Sequence, residues 1–206
     1  AGLKSTFVNG RRVTDEATLH IAQRVLIDEI GSELIALIER SGGKAIGLHG
    51  RGSRFLQGRK RVTPGEDLGF VGEITALDGE LVGRITHGGV IAVVAPIARG
   101  DDGHLYNVNA DSVAWKIAAA LSAEKLVFLS NVPGILRDKN DPASLISSLN
   151  APEGRRLIES GVVGGGMIPK VEACLLGLAG GVKKTHIIAG DLQHALLLEI
   201  FTDAGI

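Results

Sequence analysis

The chain has little of several features that would define its class of function. Only one cysteine, Cys174, occurs in 206 residues, so no intramolecular disulfide can form, and no Cys/His cluster has the spacing of a zinc site. Aromatic residues make up 3% of the chain, too few for the stacking platforms that bind single-stranded nucleic acid. The formal net charge is −1, which argues against a broad surface for nucleic acid or another polyanion.

Long hydrophobic runs are missing as well. No uncharged stretch approaches the ~18 apolar residues that a membrane span needs, and no signal peptide is visible. Apolar residues nevertheless make up 45% of the chain, which is typical of a globular protein with a sizeable core. We therefore expect a soluble cytoplasmic protein that has neither a membrane nor a nucleic acid as a partner.

Apolar periodicity predicts strands that alternate with helices, most regularly in the second half. Val113, Ile117 and Leu121 share one helix face, and "KLVFLSNV" reads as a strand. "AIGLHG" and the continuous apolar run "VIAVVAPIA" are predicted as buried strands, and "DLGFVGEIT" as a strand pair that turns on glycine. Thr14 is predicted to cap the first helix, and Gly31 to mark a bend or a break within it. This alternation predicts an α/β fold with a largely parallel sheet.

Two polar motifs in the first half are candidates for substrate binding. "NVNAD" spans Asn107 to Asp111 before a predicted helix, and capping of that helix accounts for only one of its three polar side chains. The two amides and the carboxylate, at alternate positions, could together hold a small polar substrate and orient a lysine. In "RRVTD", Arg12 is either a surface charge or a bidentate partner for a carboxylate.

A third motif, "GVVGGGMIPK", places Lys170 at the start of a predicted helix, directly after a glycine run. Glycine allows close approach of the backbone, and a helix N-terminus attracts anions. A lysine at an already positive helix end is unfavourable for the stability of the helix but favourable for binding a phosphate group. The chain has no G-x-x-x-x-G-K-[ST] sequence and no protein-kinase signature, so any phosphate chemistry here belongs to a different class.

Together and in this order, the motifs resemble those of the acetylglutamate kinase family in the amino-acid kinase superfamily. The resemblance extends over essentially the whole chain and is carried by these segments: "FVNGRRVTD", "DLGFVGE", "VIAVVAPIA", "YNVNAD", "NVPGIL", "GGGMIPKVEACL" and "THIIAGDLQHALLLEIFTDAGI". It implies a three-layer α/β/α sandwich, the amino-acid kinase fold. It also implies transfer of the γ-phosphate of ATP, with Mg²⁺, to the side-chain carboxylate of N-acetyl-L-glutamate in arginine biosynthesis.

The resemblance also implies roles for individual residues. Arg12, Asn107 and Asn109 would bind acetylglutamate, while Lys170 would stabilise the transition state and Asp111 would organise the catalytic lysines. No residue is implied as a protein ligand of a metal. The nucleotide would be bound by two segments, Asn131, Val132, Pro133, Gly134, Ile135 and Leu136, and Val162, Val163, Gly164, Gly165 and Gly166. Glu199 and Gly205 are candidates for contact with arginine as a feedback inhibitor, although an ordinary closing helix explains that segment equally well.

The chain also departs from the family pattern. Relatives begin with a strand and a Lys-x-Gly-Gly loop that are not found here, so we expect a single kinase domain that is incomplete at its N-terminus and weak on its own. Within it, residues 1–98 would form the acetylglutamate lobe and residues 99–206 the ATP lobe, in a dimer or hexamer. Asn131 stands where many relatives have Asp. Two alternatives stay open: a kinase for aminoadipate on a carrier protein, which the basic segment 51–61 would suit, and a non-catalytic regulatory homologue.

Overall fold

A computed structural model of the chain describes residues 7–8, 11–138 and 140–201. The chain divides into two compact units, Ala1–Leu121 and Ser122–Ile206, and each contains helices and a pair of parallel strands. The strands of the first unit are β1 (Phe7–Val8), β2 (Arg11–Arg12), β3 (Lys44–Leu48), β4 (Leu56–Lys60), β5 (Gly72–Leu77), β6 (Val90–Val94), β7 (Ile97–Arg99) and β8 (Leu105–Asn107). Its helices are α1 (Glu16–Gln23), α2 (Ser32–Arg40), α3 (Gly79–His87) and α4 (Ala110–Ala120), with a π-helical segment (Arg24–Gly31) between α1 and α2.

The second unit follows the predicted alternation of strands and helices. It contains β9 (Lys125–Ser130), a 3₁₀ turn (Pro142–Ser144), α5 (Ala151–Glu159), α6 (Met167–Ala179), β10 (Lys184–Ala189) and α7 (Ala195–Phe201). The predicted α/β fold with parallel strands is confirmed in both units. In the described part of the chain, no helix has both the length and the apolar character to cross a membrane.

The first helix begins one residue later than predicted. Asp15 caps α1, because its Oδ1 accepts a hydrogen bond of 2.7 Å from the Thr18 N–H. The prediction that Thr14 is the cap is wrong: Thr14 is fully buried and bridges to Gly69. Gly31 is not a break either. It ends the π-helical segment, so the helical run continues from α1 into α2 with a local change of hydrogen-bond register.

The run "VIAVVAPIA" forms two strands where we predicted one. β6 pairs in parallel with β3, but the chain turns at Ala95–Pro96 and continues as β7 in a different sheet. Proline has no N–H to donate to a ladder, which explains the interruption. The predicted burial of β3 and β6 is also wrong in part, because Ile46 is 43% exposed and Ile91 is 51% exposed.

The prediction that "DLGFVGEIT" forms a strand pair is wrong, because it contributes only the start of β5. β5 pairs antiparallel with β4, which comes from the basic segment 51–61. β4 also pairs with β7, and β7 with β8, so that four strands form one mixed sheet. The core of the unit lies against this sheet and includes Leu56, Val82 and Ala98.

Two parallel strands and the helix α6 define the second unit. β9 and β10 pair residue by residue, from Lys125 with Lys184 to Ser130 with Ala189. The helix packs closely on them at Gly177, where an added Cβ would lie 3.2 Å from Leu126 Cδ2. Both strands therefore direct their carboxyl ends to the same edge, which is where ligands bind in parallel α/β sheets.

Candidate active site

The predicted acetylglutamate motif is held by backbone hydrogen bonds in the first unit. Asn107 ends β8, and its N–H donates to the Phe70 carbonyl at 2.9 Å. Its side-chain Nδ2 donates to Thr14 Oγ1 at 3.4 Å. Thr14 is fixed in turn, because its N–H donates to Leu68 O at 3.0 Å and its carbonyl accepts from Phe70 N–H at 2.6 Å. Thr14 and Asn107 are therefore neighbours, although 93 positions separate them in the chain.

Gly69 makes this arrangement possible. Its φ of +68° lies in the left-handed region, and an added Cβ would lie 2.2 Å from Thr14 O. Only glycine fits at this position, because the backbone of Thr14 lies so close to it. The sequence pattern gave no sign of the Thr14–Gly69 contact, because Thr14 reads as a helix cap.

The other predicted residues of this motif lie on β2 and at the start of α4. The backbone of Arg12 is in β2, where it pairs with Phe7, and its side chain is outside the described part of the structure. Asn109 is the N-cap of α4, with Oδ1 accepting from Ser112 N–H at 2.8 Å. Asp111 lies in the first turn of the same helix and is half-buried. The capping role of Asn109 is thus observed, and its role in substrate binding stays a prediction.

In the second unit, Lys170 lies in the first turn of α6, which begins at Met167. The N-cap, Gly166, provides no side-chain hydrogen bond, and no acidic residue lies in the first turn. The positive end of the helix dipole is therefore not compensated by a capping carboxylate. Lys170 is half-buried, and its Nζ lies 5.7 Å from the centroid of the Phe128 ring on β9. The positive charge of Lys170 and the positive end of the helix dipole thus lie close together, and this arrangement favours binding of an anion.

The glycine run before α6 borders open space. An added Cβ at Gly164, Gly165 or Gly166 would meet no described atom within 4 Å. Only Gly165 needs glycine for its backbone, because its φ is +55°. Of the other residues predicted for this segment, Val163 is buried in the core and Val162 is largely exposed. Packing among the described residues therefore does not explain why Gly164 and Gly166 are glycine.

The second predicted nucleotide segment follows β9 and lines a cavity of about 570 Å³. Pro133, Gly134 and Ile135 are among the lining residues, together with side chains from α6 and residues of β10. Asn131, Val132 and Leu136 are not among them, nor are Val162 to Gly166 or Lys170. The cavity thus brings together half of one predicted segment and none of the other.

Glu199, the predicted effector residue, lies at the wall of the same cavity. It is 8% exposed, and its Oε1 is 2.7 Å from His186 Nδ1 and 3.5 Å from Lys125 Nζ. Burial lowers the pKa of His186 from its usual 6.5, and the nearby Glu199 opposes that shift. The contribution of His186 was missed from the sequence, where "KTHIIA" reads only as a strand. Gly205, the other predicted effector residue, lies outside the described residues.

A parallel α/β fold with a lysine at an uncapped, glycine-flanked helix start is typical of proteins that bind phosphate groups. Residues 1–189 match the amino acid kinase family, and the chain belongs to that family.

Within that family the similarity is to acetylglutamate kinases. The chain is 49% identical to the acetylglutamate kinase of Heliobacterium modesticaldum over 214 residues, which cover 100% of the chain and 72% of that protein. It is also 49% identical to that of Moorella thermoacetica over 213 residues, with the same coverage.

Among solved structures, N-acetylglutamate synthase from Neisseria gonorrhoeae complexed with coenzyme A and N-acetyl-glutamate is 28% identical, with a TM-score of 0.87. The alignment covers the whole of this chain and 46% of the synthase. The same synthase complexed with coenzyme A and L-arginine gives a TM-score of 0.84. A carbamate kinase from Giardia, at 13% identity and a TM-score of 0.63, shares the fold.

Proposed function

We propose that this protein transfers the γ-phosphate of ATP to the side-chain carboxylate of N-acetyl-L-glutamate, a reaction of arginine biosynthesis. The observation that carries the proposal is the 49% identity to acetylglutamate kinases along the entire chain. The product is an acyl phosphate, so the enzyme is a phosphotransferase with a carboxyl acceptor. Its substrates are charged, water-soluble metabolites, and we place the reaction in the cytoplasm.

The first unit supplies the acetylglutamate site in this proposal. Arg12, Asn107 and Asn109 bind the substrate, and Thr14 orients the Asn107 amide through the contact at 3.4 Å. A guanidinium can hold a carboxylate with two parallel hydrogen bonds, which suits the α-carboxylate of an acylated amino acid. The substituted amide of the substrate offers both a donor and an acceptor to the asparagine side chains.

The second unit supplies the nucleotide site. The open space beside Gly164 and Gly166 leaves room for phosphate oxygens to approach the backbone. Asn131 to Leu136 provides the other wall, of which Pro133, Gly134 and Ile135 already line a cavity. Lys170, at the positive end of α6, then faces the phosphoryl group during transfer and cancels part of its negative charge.

The chemistry needs little covalent help from the protein. An oxygen of the substrate carboxylate forms a bond to the γ-phosphorus as the bond to the bridging oxygen of ADP breaks, and ADP leaves with that electron pair. The carboxylate is already ionised at neutral pH, so no general base is required. Positioning and neutralisation of charge are the main contributions of Lys170, with Asp111 organising the lysine environment.

Mg²⁺ fits this site as a companion of ATP. In the part of the chain that the structure describes, no group of three or more His, Cys, Asp and Glu side chains could hold a metal ion. Mg²⁺ commonly binds through substrate phosphates and waters with few protein carboxylates, and it would shield the charge of the phosphates here.

The basic segment 51–61 gives little support to a carrier-protein substrate. Arg51 pairs with Asp28, Arg59 Nε lies 2.5 Å from Glu73 Oε1, and Lys60 Nζ lies 2.9 Å from Asp67 Oδ1. Three of the basic side chains in this segment therefore already have acidic partners on the same surface.

A substrate panel tests the proposal. The full-length protein is assayed for ADP release with acetylglutamate, with glutamate and with carrier-bound aminoadipate. We expect turnover with acetylglutamate and little with glutamate, whose free ammonium replaces the amide. Turnover confined to carrier-bound aminoadipate would identify the sister kinase instead. If none of the three is phosphorylated, the protein is a regulatory homologue.

We further propose that arginine is an effector that contacts Glu199. The support is the arginine complex of the structurally similar synthase and the buried carboxylate that His186 and Lys125 approach. Arginine should raise the thermal midpoint of the full-length protein, because a ligand that binds only the native state stabilises it. Glu199→Gln should abolish the shift. An equal shift in this variant would exclude Glu199 as the contact.

We also propose a homo-oligomer that uses the exposed side of α2. None of the described residues of this helix is buried, and Leu34 and Leu37 are 45% and 46% exposed. Adjacent apolar side chains on a surface commonly mark a contact between subunits. Leu34→Glu should reduce the mass measured by light scattering, while Glu33→Gln on the same helix should leave it unchanged.

A further inference from the structure

Phe70 connects the two segments that carry the proposed acetylglutamate residues. Its N–H donates to the Thr14 carbonyl at 2.6 Å, and its carbonyl accepts from the Asn107 N–H at 2.9 Å. One segment carries Arg12, two positions before Thr14, and the other is the end of β8. Both hydrogen bonds join main-chain groups, so the position of Phe70 fixes the spacing between the two segments.

The side chain of Phe70 packs against two rings of the hairpin that β7 and β8 form. Its ring centroid lies 5.6 Å from that of His104, with an angle of 54° between the ring planes. The centroid of the Tyr106 ring lies 6.3 Å away, with an angle of 40°. Both separations are in the range in which tilted aromatic pairs attract each other. Phe70 is half-buried and also packs on the core of the first unit, so its ring is held in a defined place.

The hairpin itself is held by hydrogen bonds in its turn. The Tyr106 hydroxyl donates to Asp102 Oδ2 at 2.5 Å, and Asp102 Oδ1 accepts from the His104 N–H at 3.1 Å. The Gly100 N–H donates to the His104 carbonyl at 2.8 Å. Asp102 thus restrains both residues whose rings contact Phe70.

We propose that Phe70 is a positioning residue for acetylglutamate, and that its ring contacts with the hairpin set the spacing between Arg12 and Asn107. A substrate that is bound at two points requires its two binding groups at a fixed distance, and a displacement of about 1 Å can be costly. Phe70 acts through its main chain, not through a contact with the substrate. The inference rests on the proposed function, in which Arg12 and Asn107 bind acetylglutamate.

Direct binding of acetylglutamate to the full-length protein tests the proposal without any turnover. His104→Ala removes one of the two ring contacts at an exposed position, so the protein should fold normally. We expect the Kd measured by isothermal titration calorimetry to rise about 2- to 10-fold, because an aromatic pair contributes a factor of that size. His104→Phe keeps a ring and should retain the wild-type Kd. Asp101→Ala, in the same turn, is the matched control and should leave the Kd unchanged.

A second variant changes Phe70 itself. Phe70→Leu removes both ring contacts and keeps an apolar side chain, so it should raise the Kd more than His104→Ala does. KM for acetylglutamate should rise in parallel, with kcat nearly unchanged. Phe55→Leu makes the same change at a residue that is 2% exposed in the same core. This control should lower Tm and leave the Kd unchanged. Equal effects of Phe70→Leu and Phe55→Leu on the Kd would mean a general loss of packing and would contradict the positioning role.

The double variant shows whether the two residues act together. If His104 acts through Phe70, Phe70→Leu combined with His104→Ala should bind acetylglutamate as Phe70→Leu does, with no further loss. Additive losses, or a wild-type Kd in His104→Ala, would overturn the proposal. The proposed function has a separate outcome. A wild-type protein that does not bind acetylglutamate excludes both, whereas wild-type binding that Phe70→Leu leaves intact excludes only the role of Phe70.

Discussion

The Nδ1 atom of His186 lies 2.7 Å from the Oε1 atom of Glu199, a residue that is only 8% exposed. Burial lowers the pKa of His186 below 6.5, so the imidazole is neutral near pH 7 and its Nδ1–H can donate to the carboxylate. Its Nε2 atom is also buried and has no hydrogen-bond partner among the described residues. The contact therefore joins a neutral donor to a charged acceptor, and adding a proton to this ring is unfavourable.

A dependence of stability on pH follows from this histidine. The unfolded chain binds a proton near the usual pKa of 6.5, and the folded chain binds it only at lower pH. The unfolded state therefore holds more protons in this window, and the free energy of unfolding decreases as the pH falls below 6.5. We expect His186→Gln to reduce the loss of Tm measured by circular dichroism between about pH 7 and about pH 5. His20→Gln, at an exposed position of α1, is the control, and equal slopes in both variants would contradict the assignment.

The phenol of Tyr106 should titrate unusually late. Burial, followed by a hydrogen bond of 2.5 Å to Asp102 Oδ2, raises its pKa to about 12. The stabilising effect is complete below the unfolded value of 10.0 and is lost as the pH rises through about 12. Tyr106 is the only tyrosine, so tyrosinate absorbance reports on it alone. At about pH 10.5 the native protein should show little tyrosinate and the denatured protein a large fraction.

Asp102→Asn should shift this titration toward the ordinary range, since it removes the charge that the phenol faces. Asp101→Asn alters the preceding position and is the matched control. A native titration that already coincides with that of the denatured chain would show that the phenol is not buried in solution.

Lys170 and Arg12 should affect different kinetic constants in the full-length protein. In the proposed mechanism Lys170 acts mainly in the transition state, so Lys170→Ala should lower kcat by roughly 100-fold or more with KM for acetylglutamate nearly unchanged. Arg12 is proposed to bind the substrate, so Arg12→Ala should mainly raise that KM. Steady-state kinetics with both substrates varied measures the split. Equal effects of both variants on both constants would contradict the role assignments.

Alanine substitutions at three glycines distinguish the effects of backbone strain, steric conflict and ligand binding. Gly65→Ala should cost about 1 kcal/mol of stability, because φ is +76° and an added Cβ meets no described atom within 4 Å. Gly69→Ala should cost clearly more, because its Cβ would also collide with Thr14 O. Gly164→Ala should leave stability nearly unchanged and raise KM for ATP. Chemical denaturation and steady-state kinetics measure these effects, and an unchanged KM for ATP in Gly164→Ala would argue against a nucleotide at the glycine run.

The elements that were predicted correctly are those with strong local signals. The helix at 110–120 has a clear apolar period and a capping asparagine, and β9 and β10 are short apolar runs bounded by turns. The errors occurred where contacts between distant parts of the chain determine the structure. Nothing in the local sequence "RRVTD" indicates that Thr14 pairs with Gly69, so Thr14 was predicted to be a helix cap.

The candidate site shows the same limit. Lys170 stands out in sequence because glycines and a helix start surround it, but Phe128 has no distinguishing signal. Its contact with Lys170, at 5.7 Å from the ammonium to the ring centroid, depends on the distance between β9 and the first turn of α6. Likewise, the sequence identifies Glu199 only by resemblance, whereas the partners that hold its carboxylate, His186 and Lys125, come from two strands.

The division into two compact units gives each unit an intrinsic reporter of its unfolding. Trp115, the only tryptophan, lies on α4 of the first unit, and Cys174, the only cysteine, is buried on α6 of the second. Indole fluorescence and the reaction of the thiol with a colorimetric reagent can thus be recorded on one unlabelled sample. Coincident midpoints would mean a single cooperative block. Separate midpoints would mean that one unit can unfold while the other stays folded.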